Sequence, residues 1–191
     1  KEPFTWASGI HSPIYCDNRL TLSFPKVRRQ IEEGLAALVK EEFPEAEALF
    51  GTSTAGIAHA AITAEILGLP MGYVRGSAKD HGRQNQVEGK LNKGEKVVVV
   101  EDLISTGGSV LDCVKVLQEN GAEVLGIVSI FTYGMQKGKD RLAEAKVINH
   151  SLCDLDALLP VAVEQGYIEK EEQEKLLRFR DNPSDESWRE A

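Results

Sequence analysis

Val97-Val98-Val99-Val100-Glu101-Asp102-Leu103-Ile104-Ser105-Thr106-Gly107-Gly108-Ser109 carries most of the information in this chain. Four consecutive valines make a strand buried on both faces, the pattern of a central parallel strand. Two adjacent acids follow, at the carboxyl end, where open α/β sheets bind ligands. Next come Ser, Thr, Gly, Gly and Ser, then a helical pattern over 110–119. A small, hydroxyl-rich turn that opens a helix offers backbone N–H groups and a positive dipole end to a phosphate. Acids beside a phosphate cradle need their own reason, such as ribose hydroxyls or a metal ion. The stretch therefore proposes a ribose phosphate as ligand. A buried strand, a tight turn and an N-capped helix would account for the valines and Ser105, but would leave two charges at the strand's end unexplained.

On either side of this stretch, strands alternate with helices, which predicts a parallel sheet. Residues 25–43 read as an amphipathic helix, with Ser23 as cap, Pro25 in the first turn, and Val27, Ile31, Leu35 and Leu38 as one apolar stripe. A short strand over 48–51 runs into the small residues Thr52, Ser53 and Thr54, which let a backbone approach an anion closely. An Ala-rich helix over 57–67 ends at Gly68 and Pro70. Further strands are predicted at 72–74, 124–133 and 147–148, and helices at 155–163 and 170–179. Residues 76–93 are polar and aperiodic, and Arg75, Lys79, His81 and Arg83 make the start of this loop cationic. A loop this long in a compact domain is functional or disordered, and a basic one could fold over an anionic substrate and exclude water.

With 191 residues, the whole chain 1–191 reads as one domain, large enough to bury a core. The abrupt, loop-like opening at Lys1 leads us to expect a further N-terminal helix ahead of it. A net charge of -8 argues against a general nucleic-acid-binding surface. Cys16, Cys113 and Cys153 are scattered, odd in number and without metal spacing. They suit a reducing cytoplasm. No apolar run approaches the roughly 20 residues that a membrane span needs, so no membrane partner is expected.

The strand, acid pair and loop resemble the signature of the type I phosphoribosyltransferases, which bind phosphoribosyl pyrophosphate (PRPP). That resemblance implies a central, mostly parallel sheet flanked by helices, with a small hood and a mobile catalytic loop. Arg75-Gly76-Ser77-Ala78-Lys79-Asp80-His81-Gly82 is similar to the loop of the orotate phosphoribosyltransferases. Ser8-Gly9-Ile10-His11-Ser12-Pro13-Ile14-Tyr15 resembles that family's Ser-Gly-x-x-Ser-Pro segment at the base pocket, and Phe131-Thr132-Tyr133 falls where the family places base contacts. The resemblance runs from about Phe4 to at least His150. It implies conversion of orotate and PRPP to orotidine 5′-monophosphate and pyrophosphate, with Mg²⁺ held through PRPP rather than by direct protein ligands, and a homodimer with a shared site.

By the same resemblance, Glu101 and Asp102 meet the ribose hydroxyls, and Leu103, Ile104, Ser105, Thr106, Gly107, Gly108 and Ser109 form the PRPP loop. Ser105 also touches orotate, and Tyr15 stacks on it. Arg75, Lys79 and His81 bind pyrophosphate, partly from the neighbouring subunit. Lys79, Asp102 and Glu101 carry the catalysis. The chain departs from some members at Ala7, Ala55 and Gly76, where those carry basic residues. No Arg aligns near Gly134, where some have one for the orotate carboxylate, which leaves backbone amides or His11 to recognise it. Outside the resemblance, His11 reads as a turn residue, His59 as packing or exposed, and Tyr15 and Tyr133 as core. A strained or cis peptide in the Ser53-Thr54 turn would fit the family.

Three other readings compete. A purine or uracil phosphoribosyltransferase would share the PRPP loop but not the Ser-Gly-x-x-Ser-Pro and Lys-Asp-His segments. A PRPP-sensing regulator would carry a basic nucleic-acid-binding segment, which an acidic chain lacks. A P-loop protein would need Gly-x-x-x-x-Gly-Lys-Ser/Thr, which does not occur.

Overall fold

The computed structural model describes residues 3–6, 9–76 and 86–184. Ser8, Lys79, His81 and Arg83, singled out above, lie outside the described residues. In chain order the elements are β1 (Phe4–Thr5), β2 (His11–Ser12), a 3-10 turn (Asn18–Ser23), α1 (Pro25–Glu42), β3 (Ala48–Thr52), α2 (Ala55–Leu67), β4 (Met71–Val74) and β5 (Val87–Glu88). They continue with β6 (Lys96–Ile104), α3 (Gly108–Glu119), β7 (Glu123–Thr132), α4 (Gln136–Glu144), β8 (Asn149–Asp154), α5 (Leu155–Glu164) and α6 (Lys170–Asp181).

The main sheet has the order β5-β4-β3-β6-β7-β8. Its pairings are parallel except for β5 on β4. Strand β6 lies inside it, and its four valines are fully buried. Val97 and Val99 join a core with Val110, Val114 and Leu117 of α3. Val98 and Val100 join another with Leu35 and Val39 of α1 and Ala60 and Ala64 of α2. Alternation along one strand thus feeds two cores, at about 1.5–3 kcal/mol for each valine removed from water.

A third core sits beyond the carboxyl ends of β6 and β7. Phe131, Tyr133 and Met135 meet Leu155 and Leu159 of α5 and Leu176 and Phe179 of α6, with Trp6, Ile10 and Ile14 packed against them. The N-terminal hairpin and the two last helices therefore cap the sheet together, as the expected hood.

Several local expectations change. Helix α1 has Pro25 at its start, but Phe24 is the cap and no side chain caps it; the 3-10 turn occupies Ser23 instead. The stripe of α1 is also rotated. Val27 is exposed and Glu32 is buried, because Glu32 accepts a bond from the Thr63 hydroxyl at 2.9 Å and lies 2.5 Å from Nδ1 of the fully buried His59. The polar stretch 76–93 is interrupted by β5, whose backbone pairs with β4 and satisfies groups that a structureless loop would leave open. The last strand is β8 over Asn149–Asp154, not 147–148; its polar side chains hide it from a hydrophobicity reading, and Ser129 of β7 hydrogen-bonds across to Asn149 and Ser151, which also bond each other along β8. Helix α4 gave no apolar stripe, since Gly138 is its only buried residue.

Candidate active site

Strands β3 and β6 are parallel neighbours, yet their helices leave toward opposite faces of the sheet, α2 to one and α3 to the other. Such a divergence opens a crevice beyond the carboxyl ends of the two strands. A cavity of about 530 Å³ lies there. It is lined by Glu101 through Val110, by Ser53, Thr54 and Ala55, and by Trp6, Tyr15, Cys16, Asp17, Arg19 and Tyr133.

The two acids differ. Glu101 is almost fully buried, and its Oε1 accepts from the Thr52 hydroxyl at 2.8 Å and from the Asp102 N–H at 2.9 Å. Burial, then the hydrogen bond and charge of Asp102, push the Glu101 carboxyl up to about 8 from an ordinary 4.5. Asp102 is only half-buried, and its carbonyl accepts from Asn18 Nδ2 at 2.7 Å. Asp102 is therefore the acid open to a ligand, and Glu101 stands behind it. Among the described residues no group of three or more His, Cys, Asp or Glu converges on a metal position.

The loop after β6 is built for an anion. Gly107 has φ of +73° and is the cap of α3, with no side chain bonding the first-turn amides. The first N–H groups of a helix have no intrahelical partner, so here they are left for a ligand. Leu103 and Ile104 belong to β6 rather than to the loop, and their side chains pack into the hood and the α3 core respectively. Helix α4 braces the loop from behind. A Cβ at Gly138 would stand 2.7 Å from the Ser105 carbonyl oxygen, and Arg141 Nη1 donates to the Thr106 carbonyl at 3.1 Å. Gly138 and Arg141 were not singled out in the sequence, because α4 itself carries no apolar period that would mark a glycine there as lying in a helix.

At the end of β3, lining the same cavity, the Ser53–Thr54 peptide is cis, and the Ser53 hydroxyl donates to the Val74 carbonyl at 2.5 Å. The N-terminal segment forms the third side. Cys16 N–H donates to Tyr133 Oη at 3.1 Å and Trp6 Nε1 to the Ile14 carbonyl at 3.2 Å. Burial, then Asp102 and Asp17, raise the Cys16 thiol to about 11, which leaves it a poor nucleophile. Tyr133 is core, as expected, but Tyr15 is half exposed on this side rather than core, its ring lying against Phe4 at the surface. Asp17 and Arg19 were not anticipated: they lie in an aperiodic segment that no local pattern marks.

The structure thus gathers Tyr15, Glu101, Asp102 and the 103–109 stretch. Arg75 is not on this cavity. It lines a smaller neighbour of about 170 Å³ that shares Ser53 and Ser109 with it, and its Nη1 lies 3.5 Å from Glu88 Oε1. His11 is exposed in the N-terminal hairpin, beside the Thr5 hydroxyl at 3.2 Å, and does not reach the cavity.

The phosphoribosyl transferase domain family matches residues 25–157. The chain is 60% identical over 187 residues to the orotate phosphoribosyltransferase of Bacillus cytotoxicus, covering 98% of this chain and 89% of that one. It is 59% identical, with the same coverage, to the enzyme of that name from Bacillus mycoides. Among solved structures it is similar to the orotate phosphoribosyltransferase of Aeropyrum pernix, with a TM-score of 0.75 and 31% identity over 87% of this chain and 91% of that one. It also matches UMP synthase of Leishmania donovani, with a TM-score of 0.82 and 25% identity over 93% of this chain, and spans 38% of that longer chain.

Proposed function

The chain belongs to the phosphoribosyl transferase domain family and, within it, to the orotate phosphoribosyltransferases, and from that premise we infer its reaction. It transfers the phosphoribosyl group of PRPP to orotate, giving orotidine 5′-monophosphate and pyrophosphate in pyrimidine synthesis. What supports the reading most is the meeting of the half-open Asp102, the uncapped loop and the N-terminal segment around one cavity.

In this reading the amides of Ser105, Thr106, Gly107, Gly108 and Ser109 hold the 5′-phosphate, which anchors one end of PRPP. Asp102 accepts the ribose hydroxyls. Glu101, protonated near neutrality, keeps Asp102 in place from behind, a supporting part rather than the direct contact expected from sequence. The Ser53–Thr54 turn receives the pyrophosphate end, and orotate lies beside Ser105 and Tyr15. Arg75, Lys79 and His81 supply cations to the leaving pyrophosphate, at least partly across a homodimer.

Catalysis by such a site is positioning plus electrostatic stabilisation: the bond from the anomeric carbon to pyrophosphate loosens, and orotate N1 takes its place. The site fits Mg²⁺ held through PRPP: substrate oxygens and water would supply its ligands, and Asp102, an accessible hard oxygen acceptor, would reach it through water. When bound, Mg²⁺ would neutralise charge on pyrophosphate. Unpaired Cys16, Cys113 and Cys153 suit a cytoplasmic setting; among the described residues no helix is long and apolar enough to cross a membrane.

Orotate absorbance followed with PRPP and Mg²⁺, then with EDTA, tests the reaction, with uracil, hypoxanthine and adenine in parallel. A preference for another base, or turnover unaffected by EDTA, would count against it. The shared site is tested by mixing Lys79→Ala and Asp102→Asn chains: heterodimers with one intact site should restore roughly a quarter of wild-type activity. A loop that acts within its own subunit would restore none.

A further inference from the structure

We propose that Arg19 recognises the carboxylate of the base substrate, and so sets the preference for orotate over pyrimidines that lack this group. The inference rests on the reaction inferred above and supplies the contact that neither His11 nor a residue near Gly134 provides.

The charge around the cavity makes the case first. Asp17 and Asp102 line it as acids, Glu101 behind them holds its proton, and among the described lining residues Arg19 is the one basic side chain. A carboxylate-bearing ring entering such a cavity needs a cation facing it, because nearby like charges repel it.

Position comes next. The α3 loop, Asp102 and the Ser53–Thr54 turn suit phosphate, ribose and pyrophosphate. What is left for a base is the wall carrying Trp6, Tyr15, Arg19 and Tyr133. Aromatic surface with one cation is what a planar, negatively charged heterocycle requires. This wall is tied to the ribose side, since Asn18 Nδ2 donates to the Asp102 carbonyl at 2.7 Å and immediately precedes Arg19.

The guanidinium is held ready. Its Nε donates to Asp17 Oδ1 at 2.6 Å and its Nη2 to Oδ2 at 2.9 Å, while the Arg19 backbone N–H donates to the same Oδ1 at 3.2 Å. Asp17 therefore fixes one edge of the fork. On the other edge, Nη2 makes only a long contact of 3.3 Å with Tyr15 Oη, and Nη1 has no hydrogen-bond partner among the described residues. A carboxylate can take Nη1 and replace the Tyr15 contact, a two-point geometry that arginine provides and lysine does not. Arg19 is more than half exposed, so little desolvation or refolding accompanies its use or its replacement.

Two simpler roles compete: neutralising Asp17, and binding pyrophosphate. Arg19→Gln separates them. We expect the KM for orotate to rise about tenfold or more, with the KM for PRPP within about twofold. The affinity ratio of orotidine 5′-monophosphate to uridine 5′-monophosphate, which differ by the carboxylate alone, should fall by a similar factor. Asp17→Asn combined with Arg19→Gln should not restore the ratio. An unchanged ratio, a rise confined to the PRPP KM, or restoration by the double variant would overturn the proposal while leaving the reaction standing. A wild-type protein that converts no orotate would instead overturn the reaction and this proposal together.

Discussion

On one side of the cavity, Asp102 and the loop from Ser105 to Ser109 extend from β6, a strand paired on both edges and covered on both faces. On the other side, Tyr15, Asp17 and Arg19 sit in a short segment outside the sheet, held by packing of Ile14 and Cys16 on the third core and by hydrogen bonds from Cys16 to Tyr133 and from Asn18 to Asp102. The first wall inherits the rigidity of the sheet and the second is positioned by a few specific contacts. Phosphate and ribose are common to every PRPP reaction, so a rigid wall can serve them. The identity of the base is a narrower choice, and it falls to the wall whose exposed side chains, Tyr15 and Arg19, substitution can reshape at little cost to the core.

If the division holds, damage to the sheet-borne wall should act on PRPP and damage to the N-terminal wall on orotate. Asp102→Asn should have the largest effect. An amide half-donates where a carboxylate only accepts, and turnover should fall on the order of 100-fold or more with the circular dichroism spectrum unchanged. Near-normal kcat would remove Asp102 from the ribose contact. Gly138→Val comes next, because its Cβ would meet the Ser105 carbonyl at 2.7 Å. It should destabilise by about 1–3 kcal/mol and raise the KM for PRPP roughly tenfold, with a smaller change for orotate. Equal changes in both would merge the two walls into one unit.

A smaller effect concerns pH. Glu101 holds its proton in the folded chain up to about 8, against an ordinary 4.5. Between those values the folded state binds more protons than the unfolded state, so stability should fall as pH rises through this window. Thermal melts of the ligand-free protein at pH 5 and pH 8 should show this loss, and Glu101→Gln should flatten it by about a few degrees. The same slope in the variant would mean that other groups carry it. Tyr133→Phe should have the mildest effect. It leaves the Cys16 N–H without its acceptor, which costs about 1 kcal/mol, and should raise the KM for orotate about threefold without touching that for PRPP. A change in PRPP alone would reverse the assignment of that wall.

The parts legible in the sequence are those whose signal is local. Consecutive valines followed by acids and small residues can be read within 13 positions, and the structure puts that stretch on a buried strand and an uncapped helix start. Glu32 shows the limit: its place in α1 predicts solvent, yet His59 and Thr63, 27 and 31 residues away, draw it inside. Polar β8 and α4 escaped notice because neither carries the apolar period by which elements are recognised.

By itself, then, the sequence determined the parallel sheet, the anion-binding loop and the acid pair beside it, because hydrophobic period and backbone chemistry act between near neighbours. Only the tertiary structure decided that Glu101 turns inward while Asp102 stays open, that Gly138 and Arg141 brace the loop, and that Arg19 faces the cavity while His11 and Arg75 do not. Each of these depends on groups far apart in the chain. Their burial, hydrogen bonding and charge follow from how the packed layers bring them together.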